Sequence, residues 1–188
     1  NNAILLLFAA HNFRLKGLGP LLRAMAELRR DRAECSCYLV VAGHGDASTY
    51  TRLAQGLNLA GHITFIGAVD HIQNALSVVD VAVLPTFYDP ASRFILEALA
   101  HNTPVITTRF NGAADLFVDR QHGRIIDSPT DISALSQALV QMGRPDTLRQ
   151  MQTAIAQDKL VESVSIDRGA GELIDLYQSI LPRKGPNQ

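Results

Sequence analysis

The stretch that decides the fold runs over residues 80–107, DVAVLPTFYDPASRFILEALAHNTPVIT. Val81, Ala82, Val83 and Leu84 form a short run with no polar residue, rich in β-branched side chains, the pattern of a parallel strand buried on both faces. Pro85 ends it. Phe94, Ile95, Leu96, Ala98, Leu99 and Ala100 then give a dense helical apolar face, and Asn102-Thr103-Pro104 stops the helix before a second strand at Val105, Ile106 and Thr107. Asp89 stands at the exit of the intervening loop. Glu97 follows eight residues later, about two helical turns along, so both carboxylates fall at or near the C-terminal edge of the sheet, where open α/β folds bind ligands.

Working outward, the rest of the chain repeats this alternation. Residues 4–8, 38–42, 63–66 and 124–126 read as further strands, which with 81–84 and 105–107 makes six. Between them, Leu18, Leu21, Leu22, Met25 and Leu28 recur at helical spacing, residues 50–57 and 71–79 read as helices, and a short helix runs to Val118. Pro129-Thr130-Asp131 caps a helix carrying Ile132, Leu135, Leu139 and Met142 on one face, and Gly143 to Pro145 ends it. Beyond residue 145 the chain is helical, with Ile166, Ala170, Leu173, Ile174, Tyr177 and Leu181 marking a last amphipathic helix and residues 182–188 a polar tail. The fold class is therefore α/β, a Rossmann-like, doubly wound parallel sheet of about six strands with C-terminal helices. One domain over 1–188 is expected, with 145–188 as its helical C-terminal part.

Composition narrows the function. The chain has 188 residues, 47% hydrophobic, enough for one full core. Lysine plus arginine (17) nearly balances aspartate plus glutamate (18), so the electrostatic footprint of a nucleic-acid binder is absent. Cys35 and Cys37 are one residue apart beside an apolar strand, which fits neither a redox nor a zinc motif and reads as reduced, buried thiols. No apolar run approaches the ~20 residues of a membrane helix, and the histidines show no metal-ligand spacing. Opening on Asn1 and directly into a strand, the chain reads either as a fragment of a longer protein or as a module that needs a partner.

Three places have the makings of chemistry. In the first loop, Arg14 and Lys16 precede Gly17 and a helix start, where free N–H groups, a positive dipole end and a lysine make a phosphate site; the bland alternative is two solvated cations. Gly43-His44-Gly45 follows a strand and opens a helix like the first half of a dinucleotide fingerprint, but Ser48 stands where the third glycine belongs and no acidic residue ends a strand about 20 residues on. A tight turn with close backbone approach to a ligand is the better reading. Asp89, before Pro90, fits a helix N-cap accepting the Ser92 N–H, and Glu97, four residues after Arg93, fits a surface ion pair.

In combination, Lys16-Gly17, Gly43-His44-Gly45, Phe65-Ile66-Gly67, the run from Asp80 to Pro85, Asp89 and Glu97 with Ala98-Leu99-Ala100, and Thr103-Pro104-Val105-Ile106 resemble the donor-binding domain of family 4 retaining glycosyltransferases of GT-B architecture. The loop at residues 12–17 is most similar to the lipopolysaccharide-core glucosyltransferases of bacteria. The family signature of two glutamates with seven residues between them reads here as Asp89 and Glu97. The resemblance implies that Glu97 would hold the ribose hydroxyls of a nucleotide sugar, UDP-glucose or similar, and that Asp89 would contact the donor sugar, with Ala91 and Ser92 beside it. Lys16, helped by Arg14 and the Gly17 turn, would neutralise the leaving diphosphate, making both Lys16 and Asp89 catalytic, while Gly43 and Gly67 would approach the nucleotide through their backbone. It implies no metal and no cofactor. It further implies a missing N-terminal acceptor-binding domain, a cytoplasmic location at the inner face of the membrane with peripheral contact through that absent half, and no transfer by this chain alone. His11 stands where many members carry arginine, Ser92 where glycine is usual, and residues 111–115 keep part of a G-G-x-P-E pattern. Two other functions remain open, an NAD(P)-binding oxidoreductase domain from Gly43-x-Gly45 and a non-catalytic nucleotide-binding module from the altered signature.

Overall fold

The computed structural model describes residues 2–30, 35–163 and 165–181. Six strands, β1 (Asn2–Ala9), β2 (Cys35–Ala42), β3 (Ile63–Gly67), β4 (Val81–Leu84), β5 (Val105–Thr108) and β6 (Gly123–Ile126), form one sheet in the order β3-β2-β1-β4-β5-β6. Every pairing is parallel. All four residues of β4 and of β5 are buried, as expected of strands covered on both faces. The chain builds outward from β1 through β2 to β3, then returns to the other side of β1 to lay down β4. Between β1 and β4, paired at Leu6 with Val81 and Leu7 with Ala82, the direction of winding reverses. That reversal opens a crevice at the C-terminal ends of the two strands.

The helices are α1 (Leu18–Arg30), α2 (Ala47–Gly56), α3 (Ile72–Leu76), α4 (Arg93–Ala100), α5 (Ile132–Met142), α6 (Pro145–Gln157), α7 (Leu160–Ser163) and α8 (Ile166–Ile180), with a 3-10 turn over Gly112–Leu116. On α1, Leu18, Leu21, Leu22, Met25 and Leu28 are buried as their spacing requires, facing Leu135, Ala138, Leu139 and Met142 of α5. Each fully buried leucine contributes about 1.5 to 3 kcal/mol. Asp80 fastens the start of β4, its Oδ2 accepting from Leu5 N at 2.7 Å.

Several sequence expectations need correction. The second helix begins at Ala47, not near residue 50, because Asp46 caps it, accepting from Ser48 N and Thr49 N. Pro145 opens α6 rather than merely ending α5, since a proline fits the first turn of a helix, where its missing N–H has no partner to lose. Leu148, Met151, Ile155 and Leu160 of this part are buried in the core. The last helix does form, but its apolar stripe buries nothing. Cys37 is buried on β2, and the side chain of Cys35 and the tail at 182–188 lie outside the described residues.

Candidate functional site

The crevice at the β1/β4 switch is a cleft of about 590 Å³. Its wall is drawn from four strand ends and two helices: Ala9, Ala10, His11, Asn12 and Lys16 at and after the end of β1, Ala42 and Gly43 at that of β2, Ala68, Val69 and Asp70 after β3, Ile72 and Gln73 on α3, Leu84 and Asp89 at and after the end of β4, and Ser92, Arg93, Phe94 and Glu97 at the cap and on the body of α4.

The loop that presents Lys16 is held from below by Phe13, which is 3% exposed and packs edge-on against Phe8 and Tyr50 with ring centroids 5.9 and 5.8 Å away. Asn12 turns the loop, its Oδ1 accepting from Leu15 N at 3.0 Å. Gly17 closes it at φ +82°, and a Cβ there would stand 2.0 Å from the Pro85 carbonyl oxygen. This close approach zips the loop to the segment after β4, where Phe87 N donates to the Leu15 carbonyl and buried Thr86 hydrogen-bonds through its hydroxyl to Leu15 and Tyr88. Lys16 Nζ lands on Asp89 Oδ2 at 2.7 Å and on the Tyr88 carbonyl at 3.0 Å. Both side chains are mostly shielded, at 19% and 13% exposure, so the pair is stronger than a solvated surface pair.

Asp89 is therefore not the helix cap. Ser92 N donates to Asn111 Oδ1, and Ser92 itself caps α4 by accepting from Ile95 N. Glu97 lies on α4, lines the cleft and meets Arg93 at 3.5 Å, the ion pair its spacing predicts. Arg93, at 91% side-chain exposure, gains little from that contact.

Of the sequence-nominated residues, the fold brings Lys16, Gly43, Asp89, Ser92 and Glu97 onto one cleft wall. Arg14 does not join them; it is exposed, and its charge is felt at Tyr50, whose hydroxyl is pushed up by burial and held back by Arg14. Ala91 sits exposed in the turn before α4, and Gly17 is buried behind the Lys16 loop. Gly67 supports the wall, its carbonyl accepting from Gly43 N at 2.7 Å, while the next residues, Ala68 and Val69, line it. Asp70, Gln73 and Phe94 were not singled out from sequence, because only the return of β3 to the same sheet edge places the first two there. His11 stacks on His44 across the β1 and β2 loops, with centroids 5.6 Å apart. Among the described residues no cluster of three or more His, Cys, Asp or Glu side chains suits a metal ion.

The Gly43-x-Gly45 turn follows β2 rather than β1, and a carboxylate caps the helix behind it. Asp46 already fills the α2 N-terminus, and the Thr49 hydroxyl, followed by the Ser48 hydroxyl and backbone bonds, lowers its pKa to about 2. Because the folded value lies below the ordinary carboxylate range, the cap's contribution is complete above about pH 4 and is lost as the pH falls toward 2. Following the Asp46 carboxyl carbon by NMR is expected to show a midpoint near 2, with Asp46→Asn keeping α2 capped through the titration.

An open parallel sheet with a shielded lysine–carboxylate pair at its switch point defines an α/β protein with a cleft where such folds bind ligands. More narrowly, the chain belongs to the glycosyl transferases group 1 family, whose sequence profile matches residues 3–144. It is 28% identical over 170 residues to the lipopolysaccharide core biosynthesis glycosyltransferase LpsE of Rhizobium meliloti, covering 90% of this chain and 47% of LpsE. In three dimensions it resembles WaaG, a glycosyltransferase involved in lipopolysaccharide biosynthesis, with TM-score 0.76, 23% identity, and 85% of this chain matched to 43% of WaaG. It also resembles Anabaena HepE solved in complex with UDP, with TM-score 0.78, 14% identity, and 95% of this chain matched to 50% of HepE. The chain thus spans about half the length of these proteins and shares the Rossmann-like sheet of GT-B glycosyltransferases. No helix among the described residues is long and apolar enough to cross a membrane.

Proposed function

We propose that this chain binds the donor of a retaining glycosyltransferase, a nucleotide diphosphate sugar such as UDP-glucose, from which the sugar passes to a glycan or lipid-linked acceptor. The observation that carries this reading is the Lys16–Asp89 pair at the switch-point cleft, with Glu97 on the same wall. Lys16 meets the diphosphate and offsets the charge that develops as the bond between the sugar carbon and the phosphate oxygen breaks. Glu97 accepts from the ribose hydroxyls, Asp89 and Ser92 border the donor sugar, and the backbone at residues 43 and 67–69 meets the base. The UDP held by HepE supports a uridine donor. The cleft is one wall, so the acceptor hydroxyl is held by a second wall, which we assign to the half of the longer relatives that this chain does not match; the chain alone binds a donor but transfers nothing. Titration with UDP and NADH in parallel tests the nucleotide class, and tighter binding of NADH overturns the proposal in favour of an oxidoreductase domain.

The two readings of Glu97 part company under mutation. Glu97→Gln is expected to weaken UDP binding by ~1.5 to 3 kcal/mol, the worth of a hydrogen bond to a charged acceptor. Arg93→Ala, removing a solvated partner, leaves affinity within about threefold. Calorimetry with UDP on both variants decides it, and equal losses would reduce Glu97 to the surface pair.

A further inference from the structure

Next to the Lys16–Asp89 pair lies a buried polar cluster of Thr86, Ser92, Thr107, Thr108 and Asn111, each 5% exposed or less. We propose that Asn111 is a positioning residue for the Lys16–Asp89 pair, acting through the turn at residues 89–92; this rests on the reading of Lys16 as the cation that meets the diphosphate.

Asn111 is 1% exposed, and its whole amide is engaged. Nδ2 donates to Thr107 Oγ1 at 3.0 Å, and Thr107 sends its own hydroxyl proton to the Leu84 carbonyl at 2.8 Å, so Thr107 must accept from Asn111 and the orientation of the amide is fixed. Oδ1 is thereby turned toward two backbone donors, Ser92 N at 3.2 Å and Ala113 N at 3.1 Å. The backbone on either side of Asn111 completes the grip. Asp89 N donates to the Phe110 carbonyl at 3.0 Å, and Gly112 N donates to the Asp89 carbonyl at 2.9 Å. Only a glycine permits this approach, since a Cβ at residue 112 would stand 1.9 Å from the Pro90 carbonyl oxygen.

The consequence is a turn fixed at both ends from β5. Asp89 is held by its main chain on both sides, Ser92 by the Asn111 amide, and the Asp89 carboxylate is left free to meet Lys16. Ser92 also caps α4, which bears Glu97, so the Asn111 side chain and its flanking backbone together hold the segment that carries both cleft carboxylates. An apolar residue of the same size would fill the space without desolvating an amide, but it would leave the Ser92 N–H unpaired and the turn untied.

The chain has only three lysines, Lys16, Lys159 and Lys184, so lysine-selective 13C labelling gives a spectrum in which Lys16 is assigned by its loss in Lys16→Arg. Asn111→Ser keeps a short acceptor for Ala113 N but cannot reach Ser92 N, and Thr107→Val removes the partner of Nδ2 at constant shape. In the ligand-free chain the Lys16 Cε resonance is expected to move in these variants toward its position in Asp89→Asn, with Lys159 unmoved, and the UDP dissociation constant to rise at least threefold. Ile155→Val, a comparable small lesion in the α6 core, leaves the Lys16 resonance in place. Thr107→Val carries the test alone if Asn111→Ser does not fold. Movement in either folded variant supports the role, and a Lys16 resonance unchanged in every folded variant overturns it. Addition of UDP to the unaltered chain reports separately on the underlying reading, because a Lys16 signal indifferent to UDP would remove Lys16 from the site whatever Asn111 does.

Discussion

Lys16→Ala is expected to weaken UDP binding roughly 10- to 150-fold, corresponding to the ~1.5 to 3 kcal/mol of hydrogen bonding to a charged group. The upper end is favoured by what the substitution leaves behind. Asp89, with its side chain 13% exposed, loses its cation and stays as a bare carboxylate facing the phosphates. Transfer by a protein carrying this chain is expected to fall further, by two to three orders of magnitude on the scale of a lost oxyanion donor, because the charge grows as the diphosphate leaves. Lys16→Arg should recover part of the binding, but its planar fork cannot meet the Tyr88 carbonyl and Asp89 with the same geometry as the ammonium group. Calorimetry with UDP beside thermal melts separates lost contact from lost fold. Unchanged affinity in a folded Lys16→Ala chain would move the diphosphate elsewhere.

The second large effect comes from a residue with no side chain. Gly43 sits at φ +124°, and a Cβ on it would stand 1.7 Å from the Ala10 carbonyl oxygen, so the β1 and β2 loops close only if residue 43 is glycine. Gly43→Ala is expected to cost about 3 kcal/mol or more and to abolish UDP binding, since both loops line the cleft. Gly67 provides the contrast. It too has positive φ, at +71°, but nothing lies within 4 Å of its would-be Cβ, so Gly67→Ala should cost only about 1 to 2 kcal/mol. Urea melts of the two variants test this, and equal losses would mean that backbone strain alone, not the approach to Ala10, is what Gly43 relieves.

The sheet was legible because its strands are short apolar runs between clear breakers, a local pattern that burial on both faces enforces at every residue of β4 and β5. Strand order was legible only as a class. What local reading assigned wrongly was the start of α4, where Asp89 before Pro90 looks like a cap. Its carboxylate is claimed instead by Lys16, 73 residues away, and no spacing rule within the segment can register a partner at that distance. Arg14, near Lys16 in sequence, is exposed and does not line the cleft, and its charge is felt at Tyr50. Asp70 and Gln73 became neighbours of the site only because the third strand ends on the same edge as the first.

The C-terminal helix invites a different consideration. No residue of α8 is buried in this chain, although Leu173, Ile174, Tyr177 and Ile180 share a stripe. Its backbone hydrogen bonds are therefore not secured by the sheet, and a helix of 15 residues on its own is near the limit of persistence in water. It is expected to open independently of the sheet, its amides exchanging with deuterated solvent long before those of β1 or β4. Denaturation followed through helix content would accordingly begin before unfolding of the core, and a single cooperative transition belongs to the sheet and its covering helices alone.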